Sequence, residues 1–217
     1  MEEKKLTQDQ SKVEVTGFEA KYYDMLMNII TLGTYPFFIR NAIKSIGLKK
    51  GEKVLDFGAG TGRNDCLMLK YIGKEGKITG IEIGEEMSEK FKKNCKYPNV
   101  TLLNKRIDEP LGIDREYDTV FISFVLHGFI QEKRDVIIDN AYKALKEGGK
   151  FAILDYNEFD PDKAFFIARY AIKNIECPLA EDFIKRNWKQ SLSEKGFKSF
   201  NEAFFYKKYV RLLIAYK

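Results

Sequence analysis

Val54-Leu55-Asp56-Phe57-Gly58-Ala59-Gly60-Thr61-Gly62-Arg63-Asn64 is the stretch whose reading decides the fold. A short apolar run ends in an acid, passes three glycines at alternate positions and enters a helical pattern. That order predicts a strand, a tight loop and a helix start, with a ligand in the loop. Glycine opens backbone dihedrals closed to other residues and lets a ligand approach the main chain. The helix N-terminus behind it offers unpaired N–H groups to a carboxylate or phosphate.

Downstream, strands alternate with helical stretches. Strand patterns cover Lys53–Phe57, Lys77–Glu82, Val100–Leu103, Tyr117–Ser123 and Lys150–Asp155. Helical patterns cover Asn64–Tyr71, Glu85–Cys95 and Gln131–Leu145. This alternation predicts an α/β fold with a parallel sheet covered on both faces. Ligands in such folds lie at the carboxyl ends of the strands, near the switch in strand order. Upstream, Tyr22, Tyr23, Leu26, Met27, Ile30, then Phe37, Phe38, Ala42 and Ile46, recur at helical spacing, and Gly33 and Pro36 divide them into two helices. Most of these aromatics read as core; Tyr23 is the one expected at the site.

At 217 residues the chain is long enough for one well-filled core. Residues 1–16 read as a flexible N-terminus and 17–217 as a single domain, with a helical lid over 17–50 and a variable, substrate-side segment over 156–180. The polar start, Met1 to Lys12, lacks the apolar stretch of a signal peptide, and no run approaches a membrane span. The three cysteines, Cys66, Cys95 and Cys177, lack a CxxC pair and read as buried small hydrophobes in a cytoplasmic protein, neither staples nor metal ligands. One histidine and no ligand-spaced cluster predict no metal. The net charge of +5 comes from scattered lysines, often beside Glu, so nucleic acid is not an expected partner.

The glycine spacing discriminates between ligands. A dinucleotide fingerprint places its third glycine where this chain has Arg63. The chain instead runs G-x-G-x-G, two places after Asp56, and a carboxylate there suits an ammonium group better than a pyrophosphate. Glu82, ending the second strand, is positioned for ribose hydroxyls, which NAD and adenosyl ligands share. Asp56, Gly58-Ala59-Gly60-Thr61-Gly62 and Glu82 together resemble the class I S-adenosylmethionine-dependent methyltransferases, over roughly Lys53 to Asp155. Tyr117-Asp118-Thr119-Val120-Phe121-Ile122-Ser123 looks like that family's fourth strand, and Ala144-Leu145-Lys146-Glu147-Gly148-Gly149-Lys150 like its entry to strand five. Tyr23-Asp24-Met25 and Ile122-Ser123-Phe124-Val125-Leu126-His127 are similar to the ubiquinone/menaquinone-biosynthesis (UbiE-like) group.

The resemblance implies a Rossmann-like, seven-stranded, mostly parallel sheet with one antiparallel strand near the C-terminus, since Gly196-Phe197 and Tyr209–Lys217 look like the paired last strands. It implies S-adenosylmethionine as cofactor and S-adenosylhomocysteine as product. Asp56, Gly58, Ala59, Gly60, Thr61, Gly62 and Asn64 would hold the methionine moiety, and Glu82 the ribose. Ile83, Met87, Arg106 and Ile107 would line the adenine, with Asp108 a substitute for the family's adenine-binding acid by a shift of register. Tyr23, Ser123 and Phe124 would border the methyl. His127 and Asp155 are the catalytic candidates, and each has a plainer reading, a strand-end cap for the histidine and a structural acid for Asp155. Arg63 and Asn64 read as contacts for an anionic substrate or as helix caps.

The implied acceptor is a small apolar or ring-bearing molecule of quinone, lipid, amine or thiol type, with peripheral membrane contact if it is a lipid or quinone. Phe165, Phe166, Tyr170 and Ile172 sit where such enzymes cover their substrates. Two alternatives remain open at this point. One is an NAD-dependent oxidoreductase, the other a non-catalytic nucleoside-binding module of the same fold.

Overall fold

The computed structural model describes Thr7 and residues 33–170, 172 and 177–217. Its strands are β1 (Lys53–Phe57), β2 (Lys77–Ile81), β3 (Val100–Leu103), β4 (Tyr117–Ser123), β5 (Leu145–Tyr156), β6 (Ser199–Phe205) and β7 (Val210–Tyr216). The helices are α1 (Tyr35–Ser45), α2 (Arg63–Ile72), α3 (Glu85–Asn94), α4 (Gln131–Ala144), α5 (Phe166–Tyr170), α6 (Pro178–Ile184) and α7 (Trp188–Glu194).

One sheet of order β3-β2-β1-β4-β5-β7-β6 carries all seven strands. β1 to β5 pair in parallel, while β7 runs antiparallel between β5 and β6. The central strands read as continuous apolar runs because both faces are covered. Leu55, Phe57, Val120, Ile122 and Ile153 face one core layer with Ile137, Ile138 and Ala141 of α4. Val54, Phe121, Ala152 and Leu154 face the other, with Ile39 and Ile43 of α1 and Met68 and Ile72 of α2. Each fully buried side chain of this size contributes roughly 1.5–3 kcal/mol.

Strand order reverses between β1 and β4, which are neighbours although α2, β2, α3 and β3 intervene in the chain. The loops leaving these two strands therefore flank a crevice at the carboxyl edge.

Three expectations need correction. β5 begins at Leu145 rather than Lys150: Leu145 pairs with Tyr117 before the register shifts to Thr119↔Lys150. Residues 146–149 bulge there, with Gly148 at φ 74°. Phe37 is 72% exposed, because Tyr35, Phe38, Ile39, Ala42 and Ile43 already fill the inner stripe of α1. Cys66, read with Cys95 as a buried small hydrophobe, is only half-buried, and the two lie against each other with sulfurs 2.7 Å apart. Gly33, at φ 76°, and Pro36 in the first turn of α1 mark the predicted break. The first predicted helix, with Tyr22, Tyr23 and Asp24, falls outside the described residues.

Candidate active site

The loop after β1 is fixed to β2 by its own backbone. Ile81 O accepts from Gly58 N at 2.9 Å and from Ala59 N at 3.0 Å. Gly58 has φ 74°, and a Cβ there would meet Val125 Cγ2 at 2.7 Å, so the loop after β4 packs directly on the glycine. Gly62, at φ 77°, is the N-cap of α2, and a Cβ on it would lie 2.9 Å from the Phe91 ring of α3. Both positions thus require glycine for conformation and for space. Thr61 is buried, and its carbonyl accepts from Asn94 Nδ2 at 3.0 Å.

Glu82 bridges the loops after β1 and β2. Its Oε2 accepts from Gly60 N at 3.0 Å and its Oε1 from Gly84 N at 2.8 Å. A carboxylate has about four acceptor sites, so these two bonds orient the acid and leave capacity for a diol. A cleft beside it is lined by Gly58, Ile83, Ile107, Val125 and Phe129. Met87 is buried on the inner side of α3, and Asn64 is half-buried in the first turn of α2. Arg63 lies over the Tyr35 ring, 4.9 Å from its centroid.

Asp56 and Asp65 are the exceptional groups. Asp65 shares the inner stripe of α2 with Met68 and Ile72, which aims it at β1. Both carboxyls are buried and face each other, and no donor from another described residue reaches their oxygens. Burial, the neighbouring Asp65 and the charge of Glu82 push Asp56 well above the usual carboxylate range. Burial likewise raises Asp65 to about 7. A buried anion without a partner is costly, so burial favours the protonated form of this pair.

On the third loop, Arg106 holds Asp108 through two bonds, Nε to Oδ1 at 3.0 Å and Nη2 to Oδ2 at 3.1 Å. Lys133 Nζ adds a third contact at 3.2 Å. Burial alone would raise Asp108, but these cations keep it below its ordinary value. Its carboxylate is thus held in an ion pair while it lines the cleft beside Glu82, together with Ile83 and Ile107. Asn140 of α4 fixes the same loop, donating to Ile107 O at 2.9 Å and Glu109 O at 2.7 Å.

The chain leaves β4 at half-buried Ser123 and turns at Phe124, whose φ of 53° is rare for a bulky residue. His127 follows in a 3-10 turn over Leu126–Gly128. Its Nδ1 lies 2.8 Å from Asp155 Oδ1, and its backbone N donates to Asp155 Oδ2 at 3.2 Å. The tautomer in which Nδ1–H donates to the acid is the one that makes Nε2 the basic ring nitrogen. Tyr156, 5.1 Å from the imidazole centroid, joins Phe124 and Phe38 in an aromatic wall.

The turn is held from beneath by Arg134, fully buried on α4. It donates to Leu126 O at 3.3 Å, His127 O at 3.0 Å and Leu179 O at 2.8 Å, and it pairs with Asp182 of α6. Phe165, Phe166 and Tyr170 are exposed, whereas Ile172 is buried.

The fold thus brings Asp56, the glycine loop, Glu82, Phe124, His127 and Asp155 to one edge. Tyr23 lies outside the described residues. Asp65, Val125 and Arg134 were not among the expected site residues. Two of them carried a signal: a charged residue on an apolar helical stripe, Asp65 with Met68 and Ile72, Arg134 with Ile137 and Ala141. Among the described residues, no cluster could hold a metal ion, and no helix is long and apolar enough to cross a membrane.

Comparison with known proteins follows the same outline. A family model described as "Methyltransferase domain" matches residues 54–149. A 2-phytyl-1,4-beta-naphthoquinone methyltransferase of Arabidopsis thaliana is 27% identical over 168 residues, covering 74% of this chain and 63% of that protein. A demethylmenaquinone methyltransferase of Staphylococcus aureus is 31% identical over 154 residues, covering 70% of this chain and 62% of that one. The chain spans about three-fifths of the length of the curated relatives it matches. A SAM-dependent methyltransferase from Aquifex aeolicus shares the fold with a TM-score of 0.62 at 22% identity, over 82% of this chain and 88% of that one. Human N-acetylserotonin methyltransferase, solved with SAM, gives a TM-score of 0.58 at 17% identity, over 76% and 47%.

Proposed function

Because the chain belongs to the class I S-adenosylmethionine-dependent methyltransferase family, close to its UbiE-like group, we propose that it transfers a methyl group from S-adenosylmethionine to a small apolar, ring-bearing acceptor. One observation carries the reading. Beside a glycine loop that admits a ligand to the backbone, the buried carboxyl pair of Asp56 and Asp65 takes no hydrogen bond from the side chain of another described residue, which suits the donor's ammonium group. Glu82 suits its ribose diol, and the apolar cleft of Ile83, Ile107, Val125 and Phe129 suits its adenine. In this reading Arg106, which lines that cleft, and Met87 would flank the adenine, Thr61 and Asn64 would support the methionine side, and Ser123 and Phe124 would border the methyl. When bound, S-adenosylmethionine supplies an electrophilic methyl on a sulfonium.

The chain's own contribution is positioning, exclusion of water and proton removal. Aromatic faces at Phe124 and Tyr156 favour a cation over water. His127 takes the acceptor's proton at Nε2. Asp155 holds Nδ1–H and stabilises the imidazolium that results, as a base with an orienting acid requires.

The names of the quinone-methylating relatives make a reduced naphthoquinone the first acceptor to test. Incubated with S-adenosylmethionine and a panel of reduced quinones, amines and thiols, the protein is expected to release S-adenosylhomocysteine and yield a methylated quinol. Tight donor binding without product from any acceptor would instead favour a nucleoside-binding module.

A further inference from the structure

Cys66 lies on the second turn of α2, and Cys95 caps the end of α3. Their sulfurs are 2.7 Å apart, close to the bonding distance of about 2 Å. The two thiols are not equivalent. Cys95 is 6% exposed and packed with Ala59 and Phe91, whereas Cys66 is half-buried and opens on a cleft of about 480 Å³. Arg40, Arg63 and Lys70 line that cleft with Pro36, Leu67 and Tyr97. Positive charge around a partly exposed thiol favours the thiolate, the form that attacks. The hydrogen bond between the two sulfurs lowers Cys66 against burial and the charge of Asp65, while that bond and burial raise Cys95.

We propose that Cys66 and Cys95 are a dithiol–disulfide site, with Cys66 the attacking and Cys95 the resolving thiol, and that its oxidant is a small anionic disulfide entering through the basic cleft. The Cys66 thiolate attacks one sulfur of that disulfide, forming a mixed disulfide and expelling one thiolate. Cys95 gives its proton to that thiolate and attacks Cys66 Sγ, which expels the second. The protein loses two electrons and two hydrogens, and the small disulfide becomes two thiols.

The new bond closes the segment from 66 to 95 into a loop that contains β2, Glu82 and α3. Asn94, adjacent to Cys95, already donates to Thr61 O, so the link fastens the Glu82-bearing unit to the glycine loop. This inference is independent of the methyl acceptor and of catalysis.

The test treats the reduced full-length chain with oxidised glutathione and reads mass, peptide map and Tm. Wild type is expected to lose about 2 Da without retaining glutathione, with the link mapped to Cys66–Cys95 and reversed by dithiothreitol. Its Tm should rise by roughly 4–12 °C. Cys95→Ser should hold one glutathione on Cys66, Cys66→Ser should form no internal link, and Cys177→Ser should behave as wild type. Cys66→Ala serves as a second variant if the serine destabilises the chain. A neutral disulfide of equal potential should react several-fold more slowly at low salt, and Arg40→Gln with Lys70→Gln should remove that difference. A persistent adduct on wild-type Cys66, a link through Cys177, or no mass loss would overturn the site. Equal rates for anionic and neutral disulfides would overturn the role of the cleft.

Discussion

At the amino ends of the strands, charge is matched within the protein. Asp118 accepts from Lys53 N at 2.8 Å and Lys146 Nζ at 2.6 Å. Glu52 accepts from Thr119 Oγ1 at 2.9 Å and Lys150 Nζ at 3.3 Å, and that lysine also reaches Gly47 O at 3.0 Å. At the carboxyl ends of the same sheet, Asp56 and Asp65 face each other in the interior, and no described residue supplies them a cation. Among the described residues, the acids of the first edge are matched and the Asp56–Asp65 pair of the second is not. The lesson is that the incomplete edge is the one to search for a ligand, because leaving buried carboxyls unpaired costs stability that only binding can return.

Four substitutions probe this contrast, from the largest expected effect to the smallest. His127→Ala, at the incomplete edge, should lower turnover by roughly 100- to 10,000-fold while donor affinity stays within about twofold. Steady-state rates and donor titration separate the two, and an unchanged rate would remove His127 as the base. Arg134→Met strips the support from the His127 turn, removes its bonds to three carbonyls and to Asp182, and costs about 3–5 kcal/mol in denaturant unfolding.

The third concerns pH. Both carboxyls titrate higher in the folded chain than in the unfolded one. The stability they contribute is therefore complete below their unfolded value and lost as pH rises through about 7, the region where Asp65 titrates. Without donor, the Tm of wild type should fall between pH 5 and 8, and Asp65→Asn should flatten that slope. Donor affinity should move the opposite way and rise with pH, because an ammonium favours the ionised pair. At the complete edge, Lys146→Ala removes a partly exposed ion pair, should cost less than about 1 kcal/mol, and should leave turnover unchanged. A large activity loss there would break the contrast.

Much of this layout is legible in the residues themselves. The alternation of apolar runs locates all five parallel strands, since a strand buried on both faces has little freedom in composition. The glycine spacing and Glu82 mark the ligand edge because a turn at positive φ and an acid at a strand end leave short local patterns. What escaped was tertiary. Arg134 and Asp65 occupy apolar stripes, and only the packed fold reveals whether such a charge is matched, as Arg134 is by carbonyls and Asp182, or faces another acid, as Asp65 faces Asp56. Cys66 and Cys95 are 29 positions apart by number, and nothing in their spacing announces that two helices bring them together. Phe37 illustrates the reverse failure: an apolar residue on a helical pattern left outside because its neighbours fill the stripe.

The most direct measurement is calorimetric titration of wild type and Asp56→Asn with S-adenosylmethionine and with NAD, at pH 6 and pH 8. The account predicts heat from S-adenosylmethionine alone, tighter at pH 8 with a proton released, and affinity weaker by about 10- to 100-fold in Asp56→Asn. Binding of NAD in place of S-adenosylmethionine, or S-adenosylmethionine binding indifferent to both pH and Asp56, would contradict it.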